Sequence, residues 1–183
     1  MVNPPNKLFN LTKKQRVISL RSILAHCILQ VNKGVKWQLK VNMDYNEYYN
    51  IVFAPIEKEY GKFDEETMTS IVGFSMGGPV SMSSINSKRL YASCELSVYP
   101  EQKKSTDGYN FEFLSTGHFN AETCQSIFTA LGNLSFNAKL GNGHTVDVSG
   151  VVDDESVSLV KLSLFSCSEY LNEKIAIYEV SPA

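Results

Sequence analysis

The chain has 183 residues, of which 43% are hydrophobic and 20% charged, a composition suited to one globular domain with a sizeable core. No apolar run is long enough to cross a bilayer, and the stretch "ILAHCILQVN" carries His26 and Gln30 with no small-residue cleavage site after it, so no membrane partner and no signal peptide are expected. The net charge of −2 hides an asymmetry: residues 1–43 hold 8 basic side chains and no acid, which leaves 9 basic and 19 acidic side chains, a net of −10, for residues 44–183.

An acidic body is a poor non-specific partner for nucleic acid and a good one for a basic protein. The basic segment can fold against that body or serve an interaction of its own. Cys27, Cys94, Cys124 and Cys167 are far apart and form no C-x-x-C pair, which suits reduced thiols in a cytoplasmic protein. His26, His118 and His144 are equally scattered, so no metal site is expected.

The first element in chain order is a helix over 12–31. Thr12 and Gln15 form a capping box, and Val17, Leu20, Leu24, Cys27, Ile28 and Val31 share one face. Residues 35–42 alternate as a half-buried strand, with Val35, Trp37, Leu39 and Val41 on one side. A second helix spans 44–61, capped by Asp44 and ended by Gly61, and Pro55 inside it predicts a kink or a split.

The chain then becomes strand-rich, with strands expected over 67–76, 90–99, 109–115, 144–152, 156–166 and 174–180. One helix interrupts them over about 120–132, capped by Asn120 and closed by Gly132. Helices at the front and strands behind predict an α+β domain, with a largely antiparallel or mixed sheet and about three flanking helices. The whole chain reads as one domain, with a basic helix and strand over 1–43 and a core over 44–183.

"GFSMGG", residues 73–78, fits the G-x-S-x-G pattern of a nucleophile elbow at Ser75. An elbow needs a strand before it and a helix after it. "TSIV" suits the strand, but "GPVSMSSINSKR" is rich in weak helix formers. A triad could be drawn with Asp107 or Asp147 and then His118 or His144, which keeps a small serine hydrolase as an alternative. Against it, Asp107 lies in a polar hairpin-like stretch, and Asp147 falls on an alternating strand three residues past His144.

Several stretches bear on family. "IEKEYGKF" reads as a helix ending in Tyr-Gly, and "SIVGFSM" as a strand entering a Gly-x-Ser turn. "YASCELSVYPEQ" reads as a Glu-Leu strand ending in a proline. "SIFTALGNLSFNAKLGNGHTVDVSG" reads as a long helix, a loop with Gly-His, and a hydrophobic-Asp-hydrophobic strand leading to a Gly. Together, residues 45–183 resemble the suppressor of fused (SUFU-like) domain family in its compact bacterial single-domain form. Thr145 stands where that family often has a second histidine, and residues 1–43 have no counterpart in it.

The resemblance implies a scaffold role for the Gly-x-Ser turn, no catalytic residue and no cofactor. It implies a protein-binding module: an immunity protein that binds and neutralises a partner toxin or, alternatively, a regulatory module that sequesters a cellular protein. A toxin that attacks nucleic acid presents basic surface, which acidic loops would meet. Asp64, Glu65 and Glu66 form one acidic run, and Asp153, Asp154 and Glu155 form another. These six are the candidate partner-binding residues. His144 is expected to shape the "LGNGHTVD" loop through a side-chain hydrogen bond.

Overall fold

The computed structural model describes residues 43–65, 67–69, 71–152 and 157–183. The helix expected over 12–31, the strand over 35–42, Glu66 and the run Asp153, Asp154 and Glu155 lie outside the described residues.

The Tyr-rich helix splits as Pro55 predicts. It forms α1 (Tyr45–Val52) and α2 (Ala54–Tyr60), with the proline in the first turn of α2, where its missing N–H leaves no bond unmade. The Asp44 carboxylate caps α1 by accepting the N–H groups of Asn46 and Glu47 at 2.9 and 3.3 Å. Gly61 ends α2 at φ +97°, a left-handed value that glycine accepts without strain.

Among the described residues six strands follow: β1 (Met82–Ile85), β2 (Leu90–Ser93), β3 (Asn110–Thr116), β4 (Thr145–Asp147), β5 (Leu159–Tyr170) and β6 (Glu173–Pro182). A third helix, α3 (Ala121–Ser135), separates β3 from β4. The strands form one mixed sheet in the order β1-β2-β3-β6-β5-β4. Among these six strands β3 and β6 run parallel, and the other neighbouring pairs are antiparallel. The fold is α+β.

The sheet is buried on both faces along β1, β2, β3 and the middle of β6, while β4 and β5 are partly exposed. Phe111, Phe113, Ala176, Tyr178 and Val180 pack with Cys124, Ile127, Phe128 and Leu131 of α3. On the other face, Leu114, Ile175, Ile177, Leu90 and Ala92 pack with Tyr48, Val52, Phe53 and Ile56 of α1 and α2. Strict alternation along β3 and β6 produces this division, since successive side chains leave a strand on opposite faces.

Four expectations change. The strand over 67–76 shrinks to a single bridge between Met68 and Met82. The strand over 90–99 stops at Ser93 and becomes a 3-10 turn over Leu96–Val98. The strand over 144–152 is only three residues long. Finally, α3 runs through Gly132 to Ser135. Gly132 is there for packing: a Cβ on it would lie 2.8 Å from Phe74 Cζ and 2.9 Å from Leu96 Cδ2. In addition β1, which no periodicity marks in "MSSI", forms by pairing with all four residues of β2.

Candidate functional site

The site begins with an acid where apolar residues are expected. On β3, Phe111 and Phe113 face α3, so Glu112 faces α1, and all three are fully buried. Continuing the β2–β3 register one residue past Ser93 would place Cys94 opposite Glu112. The chain leaves the sheet instead. The Glu95 carboxylate accepts the Ser81 N–H at 2.6 Å and the Tyr99 hydroxyl at 2.9 Å, which fixes the departing segment. Gln102 replaces the missing strand: its side-chain amide donates to Phe111 O and accepts from Phe111 N, both at 2.9 Å.

This detour brings Ser97 to Glu112. The Ser97 N–H and hydroxyl both donate to Oε1 at 2.8 Å. The Ser93 hydroxyl donates to Oε2 at 2.6 Å. Tyr48 of α1 completes the network with a short hydrogen bond to Ser97 Oγ and a longer one, 3.4 Å, to Glu112 Oε1. Among the described residues no lysine, arginine or histidine forms an ion pair with Glu112. Burial raises the Glu112 pKa, against the lowering effect of the hydrogen bonds from Ser93 and Ser97. Burial also pushes the Tyr48 phenol well up, and the neighbouring Glu112 adds to this.

Tyr48 and Ser97 form the floor of a groove of about 380 Å³. Tyr45, Tyr99 and Tyr170 contribute to its walls. Tyr170 holds the start of α1 to the sheet: its hydroxyl accepts the Asp44 N–H at 3.0 Å and donates to Asp44 O at 3.1 Å. The rim carries an ion pair between Lys104 and Glu173 at 2.7 Å and the exposed side chain of Leu171.

The motif at 73–78 is built differently from an elbow. Phe74–Met76 form a 3-10 turn, capped by Gly77 at φ +87°. The chain then runs extended into β1, so no helix follows the serine. Ser75 is exposed and makes no side-chain hydrogen bond among the described residues. Phe74 is the buried member. It packs onto Gly132 and against the rings of Tyr99 and Phe136, with centroids 5.7 and 5.6 Å away. Gly78 lets the backbone close: a Cβ there would lie 1.8 Å from Val72 O.

The other triad candidates are engaged elsewhere. Asp107 accepts the Tyr178 hydroxyl at 3.0 Å. Asp147 accepts the N–H and hydroxyl of Ser149, and these hydrogen bonds lower its pKa. His118 lies against Phe119, with ring centroids 6.2 Å apart. His144 serves through its backbone, which accepts Leu162 N–H at 2.8 Å beside the Gly143–Leu162 bond at 2.7 Å. The side-chain hydrogen bond expected of His144 is not present among the described residues.

Of the acidic runs, Asp64 has a structural task. Its carboxylate accepts the Asn86 N–H at 2.8 Å and the Ser84 hydroxyl at 3.3 Å, which secures the β1–β2 turn. Glu65 is exposed beside it. Neither lines the groove. Sequence reasoning missed Glu112, Ser97 and Tyr48 as a group. The available signal was the acid in "FEFL", a charge set among Phe111, Phe113 and Leu114.

No protein-family model matches this chain, and a search of curated proteins returned no match. Among the described residues no helix is long and apolar enough to cross a membrane, and no group of three His, Cys, Asp or Glu side chains is placed to hold a metal ion.

Proposed function

We propose that the chain is a cytoplasmic protein-binding domain of the suppressor of fused type, acting as an immunity protein that binds and neutralises a basic partner toxin. The observation that carries this reading is the tyrosine-lined groove on an acidic body. Tyrosine is enriched where proteins recognise one another, because it offers a large, stiff apolar ring with a polar tip. The net charge of −10 over residues 44–183 favours encounter with a basic surface.

The order of elements adds support. Helix α2 ends in Tyr60–Gly61, and α3 leads through a loop with Gly143–His144 into β4 and its Asp147. This is the order on which the family resemblance rests.

The test is co-expression with the product of the adjoining upstream gene. Restored growth and a stable complex are the expected result. Growth arrest despite full expression of the folded chain would overturn the reading. A fluorophosphonate probe tests the hydrolase alternative: stable labelling that disappears in Ser75→Ala would make Ser75 a nucleophile.

A further inference from the structure

The groove floor has a hydrogen-bonding sense that can be deduced. An ionised carboxylate only accepts, and each hydroxyl has a single proton to give. Ser97 gives Glu112 both its N–H and its hydroxyl proton. Ser93 Oγ accepts the Phe113 N–H at 2.8 Å and gives its own proton to Oε2. Tyr48 has two inward acceptors, Ser97 Oγ and Glu112 Oε1, and either choice turns its proton away from the groove. With Glu112 ionised, the Tyr48 and Ser97 hydroxyl protons point inward, and the groove meets oxygen lone pairs. An occupant must therefore donate.

Charge narrows the choice. Among the described residues no cation is paired with the buried Glu112 that stands directly behind the two hydroxyls, and residues 44–183 carry a net charge of −10. Tyrosine rings attract a cation to their faces. Arginine fits best: its planar guanidinium carries several N–H groups in a fixed fork and stacks on aromatic rings. We infer that the groove receives an arginine side chain of a basic partner protein, with its N–H groups on Tyr48 Oη and Ser97 Oγ and its plane against the tyrosine walls. This assignment rests on the protein-binding reading above and adds the recognised group.

The experiment uses the full chain and follows its amide NMR spectrum during titration with N-acetyl-arginine amide. N-acetyl-citrulline amide, which has the same shape without the charge, is the control. Saturable shifts centred on Tyr48, Ser97 and Ile175 are expected, with citrulline ~tenfold weaker or worse. Tyr48→Phe, which keeps the ring and loses the oxygen, is expected to weaken the arginine probe to a similar degree. If Tyr48→Phe fails to fold, the arginine and citrulline comparison on the wild-type chain decides alone.

Equal response to the two probes overturns the inference, as does the absence of groove shifts. Contacts in the free chain between residues 1–42 and Tyr48 or Ser97 would make this chain's own segment the occupant. A dimer that buries Tyr48 and Ser97 would make it a second copy. Either result overturns the inference. Restored growth with no groove shift removes the arginine assignment and leaves the immunity reading intact. Groove shifts without restored growth do the reverse.

Discussion

Glu112 gathers four donors, and its replacement separates their contributions. Glu112→Ala leaves the Ser97 N–H and the Ser93 and Ser97 hydroxyls without their acceptor in a buried place, at a cost of about 3 kcal/mol or more. Glu112→Gln keeps one acceptor oxygen, and its stability should stay within ~1 kcal/mol of wild type at neutral pH. Urea unfolding of both variants checks the order.

The same residue sets a pH dependence. Its folded-state pKa lies above the ordinary 4.5, so between that value and the folded one the folded chain binds more protons than the unfolded chain. Glu112 therefore makes stability fall as pH rises through that interval. Glu112→Gln should lose this part of the slope. Tyr48, which hydrogen-bonds to it, carries no charge in that range, because burial pushes its phenol well up. An unchanged slope in the variant would show that Glu112 is not the titrating group. None of this network is local in sequence. Tyr48, Ser93, Ser97 and Glu112 lie on separate elements, and only the departure of the chain from the sheet after Ser93 brings them together.

Elements meet here at glycines and tight turns. Alanine is the better helix former by about 1 kcal/mol, yet Gly132→Ala should destabilise by ~1–3 kcal/mol because its Cβ meets Phe74 and Leu96. In a Phe74→Ala background the added methyl has room, so the penalty should shrink, and a double-mutant cycle measures the coupling. A full, additive penalty would contradict the packing account. This contact also explains why Gly132 looks like a helix stop in the sequence: the glycine signal was visible, and the ring that requires it lies 58 residues earlier in the chain.

The β5–β6 hairpin turns on Leu171 and Asn172, at φ +49° and +63°. A left-handed leucine costs about 1–2 kcal/mol, whereas asparagine tolerates that conformation far better. Leu171→Asn should therefore raise stability by roughly 1 kcal/mol in thermal or urea unfolding. Because Leu171 stands on the groove rim, the same variant should bind the arginine probe no better than wild type. A less stable variant would mean that the leucine side chain contributes packing worth more than the backbone strain.

At the scale of the molecule, the legible part was whatever depends on period and caps. The split at Pro55, the caps at Asp44 and Asn120, the long helix and the strands β3, β5 and β6 all follow from spacing within a few residues. The parts that depend on distant partners were not legible. They are β1, which forms by pairing with β2, the early end of β2, and the groove. The motif at Ser75 illustrates the difference. Its glycine spacing matches a catalytic turn, but the spacing is equally that of a turn seating Phe74 beneath α3. The acidic runs were found by composition, and composition did not reveal that Asp64 is already committed to the backbone of the β1–β2 turn.

A cationic occupant requires one charge, an ionised Glu112 behind the hydroxyls of the tyrosine-lined groove. Its most direct measurement is an NMR titration of the Glu112 side-chain carboxyl carbon, assigned by its disappearance in Glu112→Gln. Burial predicts a midpoint above 4.5, and an arginine-receiving groove requires Glu112 to be a carboxylate at neutral pH, with Ser97 and Tyr48 keeping their protons inward. A Glu112 that is still protonated at neutral pH would have a proton of its own to give, the floor would no longer be bound to accept, and the case for a cationic occupant would be contradicted.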